Sequence, residues 1–152
     1  MILIDTLIDT RTETLKLFDL NPDDLLKSYA PGKWTIREVL VHVADAESVL
    51  HERIKRVISE PRQVIWAFDQ DLWCQQLEYA HFPLELSKAL FLANRNSVIY
   101  LAERYYAGSE NKEFVHSETG VRTLKDEFDK VAWHNQNHLV QIKQALLNET
   151  KS

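Results

Sequence analysis

The chain has 152 residues and a formal net charge of -5 at pH 7, with 45% hydrophobic and 27% charged residues. This length suits a single domain, 1–152, with a substantial buried core. The negative charge argues against a general nucleic-acid binder and against an anionic membrane surface as partner.

The first residues, the lengths of the apolar runs and the cysteine content together predict the cellular compartment. The first five residues contain an acid, Asp5, and no basic residue, so they do not resemble a signal peptide. No apolar run approaches the roughly 20 residues that a membrane-spanning helix needs. Cys74 is the single cysteine, which excludes an intramolecular disulfide and is typical of a reducing compartment. We therefore expect a cytoplasmic protein that does not enter a membrane.

The first half of the chain predicts two helices. Gly 3 and Pro 4 are low counts for this length, and scarce turn residues favour long helices. Residues 3–18 form the first predicted helix. Thr35 and Glu38 have the spacing of a capping box, and apolar residues then recur at helical period until Pro61.

The second half predicts two more helices after an aromatic-rich connection. Residues 62–82 are irregular and predict a packed crossover. Pro83 opens a third helix that ends near residues 106–109, and residues 114–122 suit a small hairpin. Thr123 starts a last helix that reaches about Leu147. The predicted fold is an all-α four-helix bundle with a long crossover between helices 2 and 3, in which ligand sites lie between facing helices.

Three histidines on these helices suggest a metal site. His134 and His138 are four residues apart, so their side chains lie about 40° apart on consecutive turns, a good arrangement for chelating one ion. His42, at the flank of the second helix's apolar stripe, would add a third nitrogen and leave positions open for water or substrate. The competing interpretation is that each histidine is a core residue satisfied by hydrogen bonds, since buried polar groups without partners cost roughly 1–3 kcal/mol each.

Other polar residues have simpler interpretations. Glu47 falls near the centre of an apolar stripe, where it either pairs with a buried arginine or accepts a proton as a catalytic residue near the metal. Asp45 points away from the stripe and is either solvated or a partner of a ligand's second nitrogen. Glu38 is expected to serve the capping box, and Cys74 to be a small buried residue.

The remaining histidines, His51, His81 and His116, are isolated from any chelating spacing. We expect His51 at the surface or in a groove. His116, in the predicted hairpin, is a weaker candidate for the mouth of the site.

Two motifs resemble one protein family. Residues 31–45 read PGKWTIREVLVHVAD and residues 133–142 read WHNQNHLVQI. Both resemble the signatures of the DinB-like superfamily, closest to its YfiT-type branch, and residues 68–73, FDQDLW, resemble that branch's crossover. The resemblance covers roughly residues 20–146.

This resemblance implies an up-down-down-up bundle in which His42, His134 and His138 bind a divalent metal ion, zinc or nickel. It also implies a homodimer. One departure is Glu47, because the YfiT-type pattern often has histidine or another residue there, and a carboxylate would change the charge of the site.

Members of the family are described as metal-dependent hydrolases, and some as S-transferases that use a low-molecular-weight thiol. We expect a small-molecule substrate, with transfer of such a thiol to an electrophile favoured over hydrolysis by a metal-activated water. The non-enzymatic alternative is a metal-stabilised binding or stress protein. This alternative predicts a fourth protein ligand, Glu47 or His116, that closes the metal site.

Overall fold

The computed structural model describes residues 1–148. Its four long helices are α1 (Ile2–Leu17), α3 (Ile36–Ser59), α5 (Leu84–Ser109) and α6 (Leu124–Leu146), and two short helices are α2 (Pro22–Leu25) and α4 (Gln70–Gln76). Three short strands are β1 (Val64–Ile65), β2 (Glu113–His116) and β3 (Gly120–Thr123). The predicted four-helix bundle is confirmed, with all four long helices close to their expected bounds.

The bundle has an up-down-down-up topology. Both α1 and α3 pack against α5 and against α6. Paired residues give the relative directions of the helices. The contacts Arg11–Asn96 and Asp19–Lys88 make α1 antiparallel to α5, and His42–His134 and Arg53–Glu127 make α3 antiparallel to α6. Ile2 and Trp133 line one groove and Glu13 pairs with Lys143, so α1 is parallel to α6.

The crossover between α3 and α5 is ordered and carries α4 and β1. The predicted hairpin is present as β2 and β3, and β1 adds to β2 in parallel, with Val64 opposite Val115 and Ile65 opposite His116. The sequence did not predict this third strand, because two residues are too few to show an alternating pattern. The small sheet ties the crossover to the start of α6.

The core lies between the four long helices in two main apolar clusters. One joins the start of α1 to the hairpin and the start of α6, and includes Leu7, Ile54 and Phe128. The other, which includes Leu40 and Phe91, lies at the opposite end, where α3 begins. Within residues 1–148, no helix is both long and apolar enough to cross a membrane.

Candidate metal centre

Helix α3 begins with the predicted capping box. Thr35 Oγ1 accepts from the Glu38 backbone N–H at 3.2 Å, and Glu38 Oε1 accepts from the Thr35 backbone N–H at 3.1 Å. These bonds satisfy backbone donors that a helix start otherwise leaves free. They set the first turns of α3, and His42 follows on the second turn with 1% of its surface exposed.

The three predicted histidines converge on one point. His134 Nε2 lies 2.9 Å from His42 Nε2 and 3.0 Å from His138 Nε2. One ring nitrogen from each residue falls within 4.8 Å of the others, as a metal-binding group requires. The i,i+4 spacing on α6 and the antiparallel packing of α3 therefore bring together all three predicted ligands.

The hydrogen-bonding capacity of the rings favours a cation among them. Gln141 Oε1 lies 2.7 Å from His138 Nδ1 and accepts its proton, which leaves the His138 Nε2 lone pair facing inward. His134 Nε2 carries one proton or one lone pair, so it can bond to one of its two neighbouring nitrogens but not to both. Nitrogens on a tetrahedral ion at about 2.0–2.1 Å would lie roughly 3.3 Å apart, close to the separations observed. The donor set fits a divalent ion.

Burial keeps these imidazoles neutral. It lowers the pKa of His42 to about 3, helped by the nearby His138, and the pKa of His134 to about 2, helped by His138 and His42. Burial also lowers the pKa of His138. Neutral rings keep the lone pairs that a metal ion needs.

Aromatic rings border the cluster. The ring centroid of Trp34 lies 5.0 Å from that of His42, and Phe68, from the crossover, stacks at 6.5 Å on the same imidazole. Trp73 packs in turn on Phe68 at 4.8 Å. His42 Nδ1 is buried and has no partner among the described residues. The crossover thus shields one side of the histidines from water.

A pocket of about 330 Å³ borders the histidine cluster at His138. Its lining includes His138 together with Gln141, the residue that orients it, and the loop residues Lys33 and Trp34. Sequence reasoning did not assign a role to Gln141 or to this loop. The available signal was the i,i+3 spacing of His138 and Gln141, which lets an amide reach the outer nitrogen of a ligand.

Glu47, predicted either to pair with a buried arginine or to act as a catalytic carboxylate, lies in the bundle core with 2% of its surface exposed. Both its oxygens face Arg95, at 2.5 Å from Nε and 3.0 Å from Nη2. Arg95 Nη2 also donates to Asn135 Oδ1, and Asn135 Nδ2 donates to Thr14 Oγ1. Among residues 1–148, Glu47 is not part of the ligand group that the three histidines form. The predicted buried arginine partner is present.

Two other acidic residues have clear partners. Asp45 is half-buried, and its Oδ2 accepts a hydrogen bond from the Tyr79 hydroxyl at 2.5 Å, while His42 Nδ1 has no partner among the described residues. Burial raises the pKa of Asp45. Glu38 serves the capping box and also accepts from the Cys74 thiol at 3.3 Å. Cys74 is buried, as predicted, and burial together with Glu38 raises its pKa to about 12.

The remaining histidines lie outside the cluster. His51, expected at the surface or in a groove, does not lie at the surface: it is 8% exposed, and its Nδ1 lies 2.6 Å from Asn94 Oδ1 on α5. The physical reason is that α5 covers this part of α3, which the periodicity of α3 alone could not indicate. His81 is exposed, and His116 is buried in the hairpin, where its Nδ1 accepts from two backbone N–H groups.

Comparison with known proteins identifies the family. The model of the DinB superfamily matches residues 6–142. A protein of Oceanobacillus iheyensis with the provisional name metal-dependent hydrolase OB0413 is 30% identical over 149 residues, which cover 98% of this chain and 84% of that protein. A second protein of that organism, provisionally named metal-dependent hydrolase OB0782, is 31% identical over 126 residues, 83% of this chain and 73% of its own length.

A solved structure supports the fold. YfiT from Bacillus subtilis is described as a probable metal-dependent hydrolase with an unusual four-helix bundle topology. It superposes with a TM-score of 0.84 at 23% identity, over 94% of this chain and 83% of YfiT. The family match, the two relatives and the three converging histidines agree, and the chain belongs to the DinB superfamily.

Proposed function

We propose that this protein is an enzyme that transfers a low-molecular-weight thiol to an electrophile, with a divalent metal ion held by His42, His134 and His138. One observation carries this proposal. Three neutral ring nitrogens converge beside a pocket, and among residues 1–148 neither Glu47 nor His116 joins them as a fourth ligand. An incomplete ligand set next to a pocket favours chemistry over a purely structural metal.

The ligand chemistry suits zinc or nickel, because imidazole nitrogens favour borderline ions of this kind. A divalent ion bound to three neutral imidazoles would lower the pKa of a thiol or a water molecule near it. The residues of the chain supply the rest. Gln141 fixes the ring of His138, while Trp34 and Phe68 limit access of bulk water to His42.

The transfer is balanced without an oxidant or reductant. The sulfur of the thiol forms a bond to an electrophilic carbon, and the bond from that carbon to its leaving group breaks. The leaving group departs with the electron pair of the broken bond, and the thiol proton passes to solvent. The protein's contribution is to hold the thiol in its ionised, nucleophilic form beside the electrophile.

Hydrolysis by an activated water is the second candidate, and the names of the relatives favour it. Glu47 is the carboxylate that the sequence offers as general base in that reaction. Its two oxygens are both engaged by Arg95, which favours a positioning role for Glu47 over proton transfer. A Glu47→Gln variant tests this. If Glu47 is the general base, the variant should lose turnover; if Glu47 is a positioning residue, the variant should lose stability but keep the pH profile of its turnover.

One experiment separates the candidates. Metal-loaded protein is assayed with a chloro-aromatic electrophile and several thiols, and separately with a panel of esters and amides without thiol. We expect thiol-dependent turnover that His42→Ala abolishes and that His81→Ala, a change at an exposed histidine outside the cluster, leaves intact. Turnover without thiol would instead favour hydrolysis, and no turnover by the metal-saturated protein would favour the binding role.

We also propose that the chain forms a homodimer. A groove of about 450 Å³ between α1 and α6 supports this, because Ile2 and Trp133 at its edge are 87% and 61% exposed. Light scattering should give twice the chain mass, and Trp133→Glu should shift it towards the mass of one chain. A wild-type protein with the mass of one chain at micromolar concentration would contradict the proposal.

A further inference from the structure

The pocket beside His138 carries one cationic and one anionic side chain, Lys33 and Asp71. From this pair we infer that the thiol substrate has an amino-acid head: Lys33 binds its carboxylate and Asp71 binds its ammonium group. The inference rests on the proposed function and adds the charge pattern by which the substrate is selected.

The position of the pocket connects it to the metal centre. His138 contributes to the histidine cluster through Nε2 and to the wall of the pocket, and Gln141 lies in the same wall. A small molecule whose sulfur lies at the cluster would therefore extend its remaining groups into this pocket. Its volume of about 330 Å³ is at the lower end of the range for ligand pockets, which suits a molecule of amino-acid size.

Lys33 and Asp71 are the two charged side chains that line the pocket, and within residues 1–148 both are free to pair with a ligand. The remaining lining residues are uncharged or neutral at pH 7, and they are Tyr29, Gly32, Trp34, Val39, Gln70, His138 and Gln141. Within the described part of the chain, Lys33 and Asp71 take part in no ion pair. One free cation and one free anion complement a zwitterion better than they complement a ligand of a single charge sign.

The backbone positions of both residues are fixed. The Lys33 N–H donates to Ala30 O, and Lys33 O accepts from Ser28 Oγ, so Lys33 closes a tight turn in which Gly32 has a φ of +74°. At the start of α4, Asp69 Oδ1 accepts from the backbone N–H groups of Asp71 and Leu72. The backbone at Lys33 and Asp71 is therefore already ordered, so binding need not order these two turns.

A cobalt-substituted protein tests the inference by binding rather than by turnover. Four thiols are titrated while the sulfur-to-cobalt absorption is followed: L-cysteine with both charges, 3-mercaptopropionate with the carboxylate, cysteamine with the ammonium, and neutral 2-mercaptoethanol. The ratio of variant to wild-type affinity for each thiol cancels differences in intrinsic thiol acidity.

We expect Lys33→Met to weaken binding of the two carboxylate-bearing thiols by roughly fivefold and to leave the other two unchanged. Asp71→Asn should weaken the two ammonium-bearing thiols by a similar factor. Two exposed residues of α1 outside the pocket provide matched controls, and neither Lys16→Met nor Asp9→Asn should alter any of the four affinities.

If neither Lys33→Met nor Asp71→Asn changes the affinity for any thiol, or if all variants weaken binding of all four thiols equally, the inference is overturned and the proposed function stands. If cobalt binds but none of the four thiols changes its spectrum, both the thiol-transfer proposal and the inference fail. A protein that takes up no cobalt would contradict the three-histidine site itself, and the inference with it.

Discussion

Arg95 is fully buried, and its guanidinium is bonded on every side. Its Nε and Nη2 donate to Glu47, its Nη1 donates to Leu7 O and Thr10 Oγ1, and its Nη2 also donates to Asn135. These partners come from α1, α3 and α6, so one side chain from α5 links all four long helices. A fully satisfied network of this kind specifies one packing arrangement, and its partial loss is costly.

Arg95→Met should lower the free energy of unfolding by about 3–5 kcal/mol, because it leaves the Glu47 carboxylate buried without its partner. Urea denaturation measures this. The double variant Arg95→Met, Glu47→Leu should recover much of the loss, and Arg11→Met, which removes an exposed bond to Asn96, should cost under about 1 kcal/mol. A double variant less stable than Arg95→Met would contradict this account.

A second buried carboxylate, Glu127, lies in the first turn of α6. It is fully buried, and neither oxygen has a hydrogen-bond partner among the described residues. Arg53 Nη1 and Arg122 Nε approach it only to 3.9 and 3.8 Å. Burial raises the pKa of Glu127, although Lys130, Arg53 and Arg122 oppose the shift, with Asp126 adding to it.

The sign of the resulting pH dependence follows from linkage. A carboxyl group whose pKa is higher in the folded than in the unfolded state keeps its proton longer when folded, so stability falls as pH rises from the unfolded pKa through the folded one. The unfolding free energy of wild type relative to Glu127→Gln should therefore fall as pH rises above about 4.5. Asp9→Asn, a change at an exposed carboxylate, serves as control. If the unfolding free energy of wild type relative to Glu127→Gln instead rises with pH, the neighbouring cations lower the pKa of Glu127 and the account is contradicted.

At the scale of single elements, the capping box of α3 stabilises the helix start that carries His42. Thr35→Ala removes the acceptor for the Glu38 N–H and should lower the unfolding free energy by about 1 kcal/mol. Thermal unfolding with Thr12→Ala as control measures it, since the exposed Thr12 hydroxyl only bonds back to Ile8 O within α1. Equal effects of the two changes would show that the cap contributes little.

The elements that local sequence signals define were predictable. The Thr35 and Thr123 caps, Pro83 and the apolar periods predicted three helix starts and the bundle. Strand β1 was not predictable, because its two residues gain strand geometry only by pairing with β2, some 50 residues later. The burial of His51 likewise comes from the packing of α5 on α3, which places Asn94 beside it and which the pattern of α3 does not contain.

The candidate site shows the same division. The spacing of His134 and His138 predicted a pair of facing imidazoles, and His42 was predicted as the third ligand; the antiparallel packing of α3 and α6 brings it to that pair. Arg95 was not predicted as the partner of Glu47, because 48 residues separate them and only the assembled bundle brings them together. The pocket beside His138 is built from three separate segments, and no local signal marks such a surface.

At the scale of the whole molecule, the residues that stabilise the bundle and the residues of the candidate metal centre occupy different regions. The Arg95 network occupies the centre, where it links the four long helices. The three histidines lie between α3 and α6, towards the end where the loop before α3 and the start of α4 form the pocket. The central claim is that this open end holds one divalent metal ion through three imidazoles.

Metal analysis of the purified protein tests this claim most directly. We expect about one divalent ion per chain in wild type and in the His81→Ala control, little in His138→Ala, and none in the double variant His134→Ala, His138→Ala, because one imidazole cannot hold the ion alone. Circular dichroism of each variant checks that the helices remain. Full metal occupancy in a folded double variant would contradict the account.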